Sequence, residues 1–327
     1  MSTVVPALEA VVEAAGPRVR DLMETLERRL LELVSGHGEL LARHAGATIA
    51  AGGKRLRPLT VFVAGGEATD SQGLVRAGAA VELVHSATLV HDDVLDAADL
   101  RRGRPTVVAT GGRELAIATG DLLFSRAFAE LSGNRDAGQL RVLSAASSAL
   151  ARGELLQRAD AFDATISVER YLLRCELKTA RLFEAACRLG ARQAPGDGEG
   201  VARALGRFGR SIGLAFQVLD DVLDVSGPAA RTGKRRGTDL LDGTVTLPLI
   251  LARERDPALA RLDTRSLIGG ADAERVCDAI EATGALEQAR ARALEIVATA
   301  KADLPALDQR RAGALRLIAD GVVERYG

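Results

Sequence analysis

From Val19 onward the chain repeats apolar residues at helical spacing. Leu22, Leu26, Leu30 and the pair Leu33–Val34 form a stripe, with glutamate and arginine filling the positions between. That pattern predicts an amphipathic helix with one buried face. Further segments of roughly 15 to 30 residues follow, none with the strict alternation of a half-buried strand. Breaks are expected where glycine and proline cluster: Gly52–Gly53, Gly65–Gly66, Gly103–Pro105, Gly111–Gly112, Pro195–Gly198 and Gly227–Pro228. No low-complexity linker divides the chain. The expectation is an all-α protein, a single helical-bundle domain over residues 1–327. Its core would span about 50–255, with C-terminal helices over 256–327.

Composition agrees with helix almost throughout. The chain of 327 residues is 47% hydrophobic but only 3% aromatic, has no tryptophan, and is dense in Ala, Leu, Arg and Glu. A net charge of −1 without long like-charge blocks argues against a nucleic-acid partner held by bulk electrostatics. Cys175, Cys187 and Cys277 lack metal-ligand spacing and read as free thiols of a reducing cytoplasm. The first twenty residues carry Glu9 and Glu13 and no basic segment ahead of an apolar one, so no secretory leader is expected. No uncharged apolar run of about 18 residues is found, so no membrane insertion is expected either.

Candidate chemistry enters with one pentapeptide that occurs twice. Asp-Asp-Val-Leu-Asp stands at Asp92–Asp96 and again at Asp220–Asp224, each after a strongly apolar stretch. Burying three carboxylates without a partner costs several kcal/mol each, so a cation is expected among them. On a helix the first and third aspartates lie at i and i+4, on one face, with the second about 100° away. Two such helices face to face would offer a cage of hard oxygen ligands suited to Mg²⁺. Mg²⁺ keeps few protein ligands and shares phosphate oxygens, which implies a phosphorylated substrate. Surface helix ends rich in aspartate are the plainer reading, and the exact repetition weighs against it.

Three compact basic clusters answer the carboxylates: Gly52–Pro58, Arg101–Pro105 and Lys234–Arg236. Alone, each reads as a solvated surface feature; beside metal-binding helices, arginine forks and lysine charges suit the remaining oxygens of a diphosphate. His85 lies two turns before Asp92 on the same face and by itself reads as a hydrogen-bonded core residue. Lys178 and Thr179 stand in a helical segment rich in apolar residues, where a lysine commonly snorkels to the surface.

Together these motifs resemble those of the trans-isoprenyl (polyprenyl) diphosphate synthases. The resemblance runs from about Gly52 to Ile250 and comprises five separated motifs in the family's order. They are Gly53–Pro58, Leu89–Asp96 with its tail Arg101–Thr106, Lys178–Ala180, Phe216–Asp224 and Gly233–Asp239. It implies the isoprenoid synthase bundle, with an active-site cavity between helices. It implies a prenyltransferase that condenses isopentenyl diphosphate with an allylic diphosphate, and three Mg²⁺ ions per site. By position, Asp92, Asp93 and Asp96 would hold two of the ions and Asp220, with Asp221 and Asp224, the third. Arg101, Lys178 and Lys234 would hold the allylic diphosphate, with Thr179 and Gln217 beside the reacting carbons. Lys54, Arg57, His85 and Arg102 would hold isopentenyl diphosphate. A homodimer is also implied, through the apolar helix that carries Gly120–Phe128.

One departure stands out. Many members carry a second lysine where this chain has Thr244, so one cation at the allylic diphosphate is missing or comes from Arg235 or Arg236. Product length should depend on Ala87 and Thr88, one helical turn below the first aspartates. In this family a bulky aromatic there closes the tunnel, so two small residues imply a product longer than C20. A C15 or C20 synthase is the alternative; Leu143 and Phe128 are further candidates for the tunnel floor. A terpene cyclase fits less well, because the second metal motif is aspartate-rich and aromatics are scarce. A non-catalytic subunit of a heteromeric synthase would be expected to have lost motif residues that this chain keeps.

Overall fold

The computed structural model describes residues 5–67, 70–101, 103–194, 198–227 and 236–324. Helices follow one another as α1 (Val5–Ala15), α2 (Pro17–Val34), α3 (Glu39–Ala50), α4 (Leu56–Gly65) and α5 (Ser71–Leu95). Two-residue strands β1 (Leu100–Arg101) and β2 (Arg104–Pro105) precede α6 (Val107–Ser132), α7 (Ala137–Ala159) and α8 (Val168–Cys175). A π-helical turn, Glu176–Ala180, leads into α9 (Arg181–Ala191) and α10 (Glu199–Ser226). Then come α11 (Thr238–Leu241), α12 (Leu247–Arg253), α13 (Pro257–Ala260), α14 (Gly270–Ala282), α15 (Ala285–Ala302) and α16 (Gln309–Glu324). The all-α expectation therefore holds, with the antiparallel β1–β2 pair as a small addition. Residues gather into two compact units, Met1–Ser147 with Leu182–Gly209 and Leu304–Gly321, and Ser148–Arg181 with Arg210–Asp303 and Val322–Gly327.

In the first unit, α2 buries the stripe read from its sequence, Val19, Leu22, Leu26, Leu30, Leu33 and Val34. A fully buried leucine contributes about 1.5–3 kcal/mol, so that face is a main contributor to the unit's stability. Helix α5 differs in kind: it is buried along most of its length and lies against α2, α4 and α6. Small residues make the close approach possible, since a Cβ at Gly78 would fall 2.8 Å from the Phe62 ring. Asp70 caps α5 by accepting hydrogen bonds from the Gln72 and Gly73 amides at 3.0 Å each. By length and composition α5 is the one helix among the described residues apolar enough to cross a membrane, and 78% of its apolar window is buried within the fold.

The expected break at Gly111–Gly112 is a kink inside α6, where Gly112 adopts φ 80° and ψ 173°. In the second unit, α12 lies against α8, α13, α14 and α15, and Leu247, Leu249, Ile280, Ala289 and Ala293 are all buried there. All three cysteines are free and buried.

Candidate active site

The first aspartate cluster ends α5. Asp92 is half-buried, Asp93 buried, and Asp96 exposed as the C-cap, its amide donating to the Asp92 carbonyl at 2.8 Å. The chain then turns sharply: Ala97 and Gly103 adopt positive φ, and Leu100–Arg101 pairs with Arg104–Pro105. Thr106 fastens the loop by donating to the Ala98 carbonyl at 2.6 Å while accepting from the Ala109 amide to cap α6. This hairpin returns Arg101 to the helix it left, and its Nε donates to Asp93 Oδ1 at 2.6 Å. Asp93 is therefore braced by an arginine, while Asp92 and Asp96 share the helix face that the i, i+4 spacing predicts. Arg102 lies outside the described residues.

The basic segment before α4 is not uniform. Arg55 occupies a left-handed conformation (φ 47°) and is buried, held by Glu27 at 2.7 Å, Glu82 at 2.6 Å and the Ile49 carbonyl at 2.9 Å. It is a structural anchor. Lys54 and Arg57 flank it and are both half-buried, and the Arg57 guanidinium lies 4.6 Å over the Phe183 ring. His85 is half-buried on α5; Ala87, on the same helix, is fully buried, and Thr88 donates to the His85 carbonyl at 2.8 Å.

In the second unit Lys178 and Thr179 stand on the π-helical turn, a widened geometry that recurs at functional sites. Lys178 pairs with Glu154 of α7 at 2.5 Å. The approach is so close that a Cβ at Gly153 would fall 2.5 Å from the Lys178 amide nitrogen. Thr179 donates to Gln217 Oε1 at 2.7 Å, and Gln217 Nε2 donates to Asp221 Oδ1 at 2.8 Å. The other Asp221 oxygen accepts from the fully buried Tyr171 hydroxyl at 2.6 Å. Burial first, and then the nearby Asp239 carboxylate, push the Asp221 pKa up, against the pull of those two hydrogen bonds. Burial likewise holds the Tyr171 hydroxyl well above its usual pKa, so it remains a donor.

Asp220 and Asp224 are half-buried, and Asp224 Oδ2 accepts from the Asp239 amide at 3.2 Å. Lys234 and Arg235 lie outside the described residues. Arg236 is bound by Asp278 at 2.5 Å, Glu281 at 2.9 Å and the Val225 carbonyl, so its charge is already neutralised. Thr244 is half-buried, with its amide donating to the Asp239 carbonyl at 2.8 Å. Sequence reasoning missed Tyr171, Glu154 and Gly153, whereas Asp239 closes the Gly233–Asp239 motif already read there. Only Tyr171 carried a signal, as one of two tyrosines in the chain, set on the apolar face two turns before Lys178.

The donor chemistry fits a hard divalent cation. Both aspartate clusters sit at the C-terminal ends of long helices, where the macrodipole is already negative and further carboxylates raise the local energy. Among the described residues no three His, Cys, Asp or Glu side chains converge to enclose an ion by themselves. Carboxylate pairs that leave positions for water and phosphate oxygen are how Mg²⁺ is ordinarily held.

Comparison with known proteins agrees with this chemistry. The family model described as polyprenyl synthetase matches residues 38–283. A short chain isoprenyl diphosphate synthase of Methanothermobacter thermautotrophicus is 36% identical over 94% of this chain and 97% of its own. The octaprenyl diphosphate synthase of Escherichia coli is 34% identical over 84% and 86%. Among solved structures, a polyprenyl synthase from Caulobacter crescentus, complexed with calcium and isoprenyl diphosphate, superposes with a TM-score of 0.90. It is 36% identical, covering 98% of each chain.

Proposed function

The chain belongs to the polyprenyl synthetase family, and we propose that it joins isopentenyl diphosphate head-to-tail to an allylic diphosphate, giving an all-trans product longer than C20. It is a prenyltransferase, a trans-polyprenyl diphosphate synthase. The observation that carries the mechanistic reading is the π-helical turn. It presents an ammonium, Lys178, next to a hydroxyl, Thr179, whose partner Gln217 stands one turn before Asp221. A cation for the leaving diphosphate and oxygen dipoles for an allylic cation thus come from one backbone segment.

Asp92, Asp93 and Asp96, with Asp220, Asp221 and Asp224, would hold Mg²⁺, three ions per site. When bound, these supply the charge that stabilises pyrophosphate as the allylic carbon–oxygen bond breaks. Arg101, Lys178 and Lys234 grip the allylic diphosphate; Lys54, Arg57, His85 and Arg102 grip isopentenyl diphosphate. Thr179 donates its proton to Gln217, so its oxygen lone pairs remain for the developing cation. The isopentenyl double bond attacks that cation, and the proton released passes to the retained pyrophosphate. Ala87 and Thr88, both small, are assigned to the control of tail length.

The alternative is a C15 or C20 product, which the name of the Methanothermobacter relative favours. We further read the chain as a single functional domain over residues 1–327, as a homodimer through α6, and as cytoplasmic. The cytoplasmic reading is supported by its three free cysteines. The deciding experiment incubates the purified chain with isopentenyl diphosphate, Mg²⁺ and allylic primers of several lengths and reads products by mass. Elongated all-trans products above C20 are expected. An absence of any elongated product sinks the assignment, and an end point at C15 or C20 moves it to the alternative.

A further inference from the structure

Three hydrogen bonds run in series through the second unit: Tyr171 to Asp221, Gln217 to Asp221, and Thr179 to Gln217, at 2.6, 2.8 and 2.7 Å. Their arrangement fixes more than each bond alone. A glutamine amide can sit in either of two orientations, and its neighbours decide which. Here the carboxylate of Asp221 takes the amide N–H₂, so the amide oxygen faces Thr179 and draws its proton. Asp221 can hold Gln217 in that sense only if its own carboxylate plane is fixed. Its free oxygen is fixed by Tyr171, whose ring is fully buried, with the Arg174 guanidinium 5.5 Å from its centre. Arg174 is itself buried and donates to the Val245 carbonyl at 2.5 Å, so the group packed against the ring is held in place. The fully buried phenol ends the series on one side and the Thr179 hydroxyl ends it on the other.

We propose that Tyr171 is a positioning residue for the prenyl-transfer step. Through Asp221 and Gln217 it sets the orientation of the Thr179 hydroxyl, so that lone pairs rather than a proton face the allylic carbon. The role rests on the prenyltransferase reading above and adds a residue that none of the motifs contains. It acts through other side chains and does not touch substrate.

Tyr171→Phe keeps the ring and its packing and removes only the hydroxyl. Released from it, Asp221 and the Gln217 amide can rotate, and Thr179 loses its fixed direction. Turnover with a short allylic primer should fall about tenfold, with KM for isopentenyl diphosphate held within about twofold. The diagnostic measurement is a double-mutant cycle with Thr179→Val, which removes the outer hydroxyl. Because the tyrosine works through Thr179, the double variant should turn over no more than about twofold slower than Thr179→Val alone. Independent, multiplicative losses approaching a hundredfold would show that Tyr171 acts elsewhere and would overturn the proposal. So would wild-type turnover in Tyr171→Phe. Loss of helical circular dichroism by that variant at the assay temperature would also overturn it, because the hydroxyl would then be holding the fold rather than the site. Failure of the underlying function is recognised separately, by a wild-type chain that forms no elongated product.

Discussion

Gly153→Ala tests whether the close approach of α7 to the π-helical turn matters to the reaction. The added methyl would lie 2.5 Å from the Lys178 nitrogen, 2.8 Å from its Cα and 2.9 Å from the Leu177 carbonyl carbon. Unstrained carbon contacts fall at about 3.5–4.0 Å, so the two segments must separate by roughly 1 Å. All three atoms are backbone, and no rotamer change relieves them. Overpacking of this kind costs about 1–3 kcal/mol. Alanine in place of glycine inside a helix returns at most about 1 kcal/mol. The net expectation is a loss of up to about 2 kcal/mol, a fall of several degrees in melting temperature. The effect on chemistry should be larger than the effect on stability. Lys178 and Thr179 ride on the displaced segment, and a misplacement near 1 Å can lower turnover about a hundredfold. Steady-state kinetics with saturating isopentenyl diphosphate, beside a thermal melt, separates the two. A variant with unchanged turnover and a raised melting temperature would refute the reasoning, because helix propensity alone would then be acting.

Four further outcomes are expected. Ala87→Tyr should shorten the product to C15 or C20 at a comparable initial rate, since passing a packed ring costs several kcal/mol of strain; an unchanged product mass would show that Ala87 does not line the route. Asp92→Ala, or chelation of divalent ions, should lower turnover by orders of magnitude while helical content persists, and activity surviving thorough EDTA treatment would contradict the metal assignment. Arg55→Met should destabilise the chain by about 3–5 kcal/mol in denaturant titration, because it strands the buried Glu82 carboxylate. Cys187 and Cys277 should resist a thiol reagent at pH 8 until the chain unfolds: burial pushes both thiols up to about 12, so almost no thiolate exists at that pH.

What was legible in the sequence follows from how each element is buried. Helix α2 hides one face, so its apolar stripe could be read residue by residue. Helix α5 is buried along most of its length, which erases the periodicity and leaves only an apolar run ending in aspartates. The two pentapeptides were visible because their chemistry is local. The link from Tyr171 to Asp221 was not, since it joins residues 50 positions apart that share no pattern. In Gly52–Pro58 the three basic residues look alike in sequence, yet the fold makes Arg55 an anchor and leaves Lys54 and Arg57 half-buried. The π-helical turn has no residue code either; Lys178 and Thr179 were marked by resemblance, and the widened backbone beneath them was not foreseen. Hairpin strands of two residues are too short to alternate, so only the Gly103–Pro105 cluster announced the turn at 100–105.

The placement of both aspartate clusters at the negative ends of α5 and α10 carries a thermodynamic consequence. Carboxylates at that end oppose the helix field, so the ion-free chain is least content in the last turns of these two helices. Any divalent ion that settles there binds the folded form and has no matching site in the unfolded one. Mass action then raises the apparent stability by RT ln(1 + [ion]/Kd), about 2.7 kcal/mol at a hundredfold excess over Kd. The melting temperature becomes a substrate-free titration curve for the ion. Amide hydrogen exchange should slow first at the C-terminal turns of α5 and α10, which would report occupancy of each cluster without any product being formed.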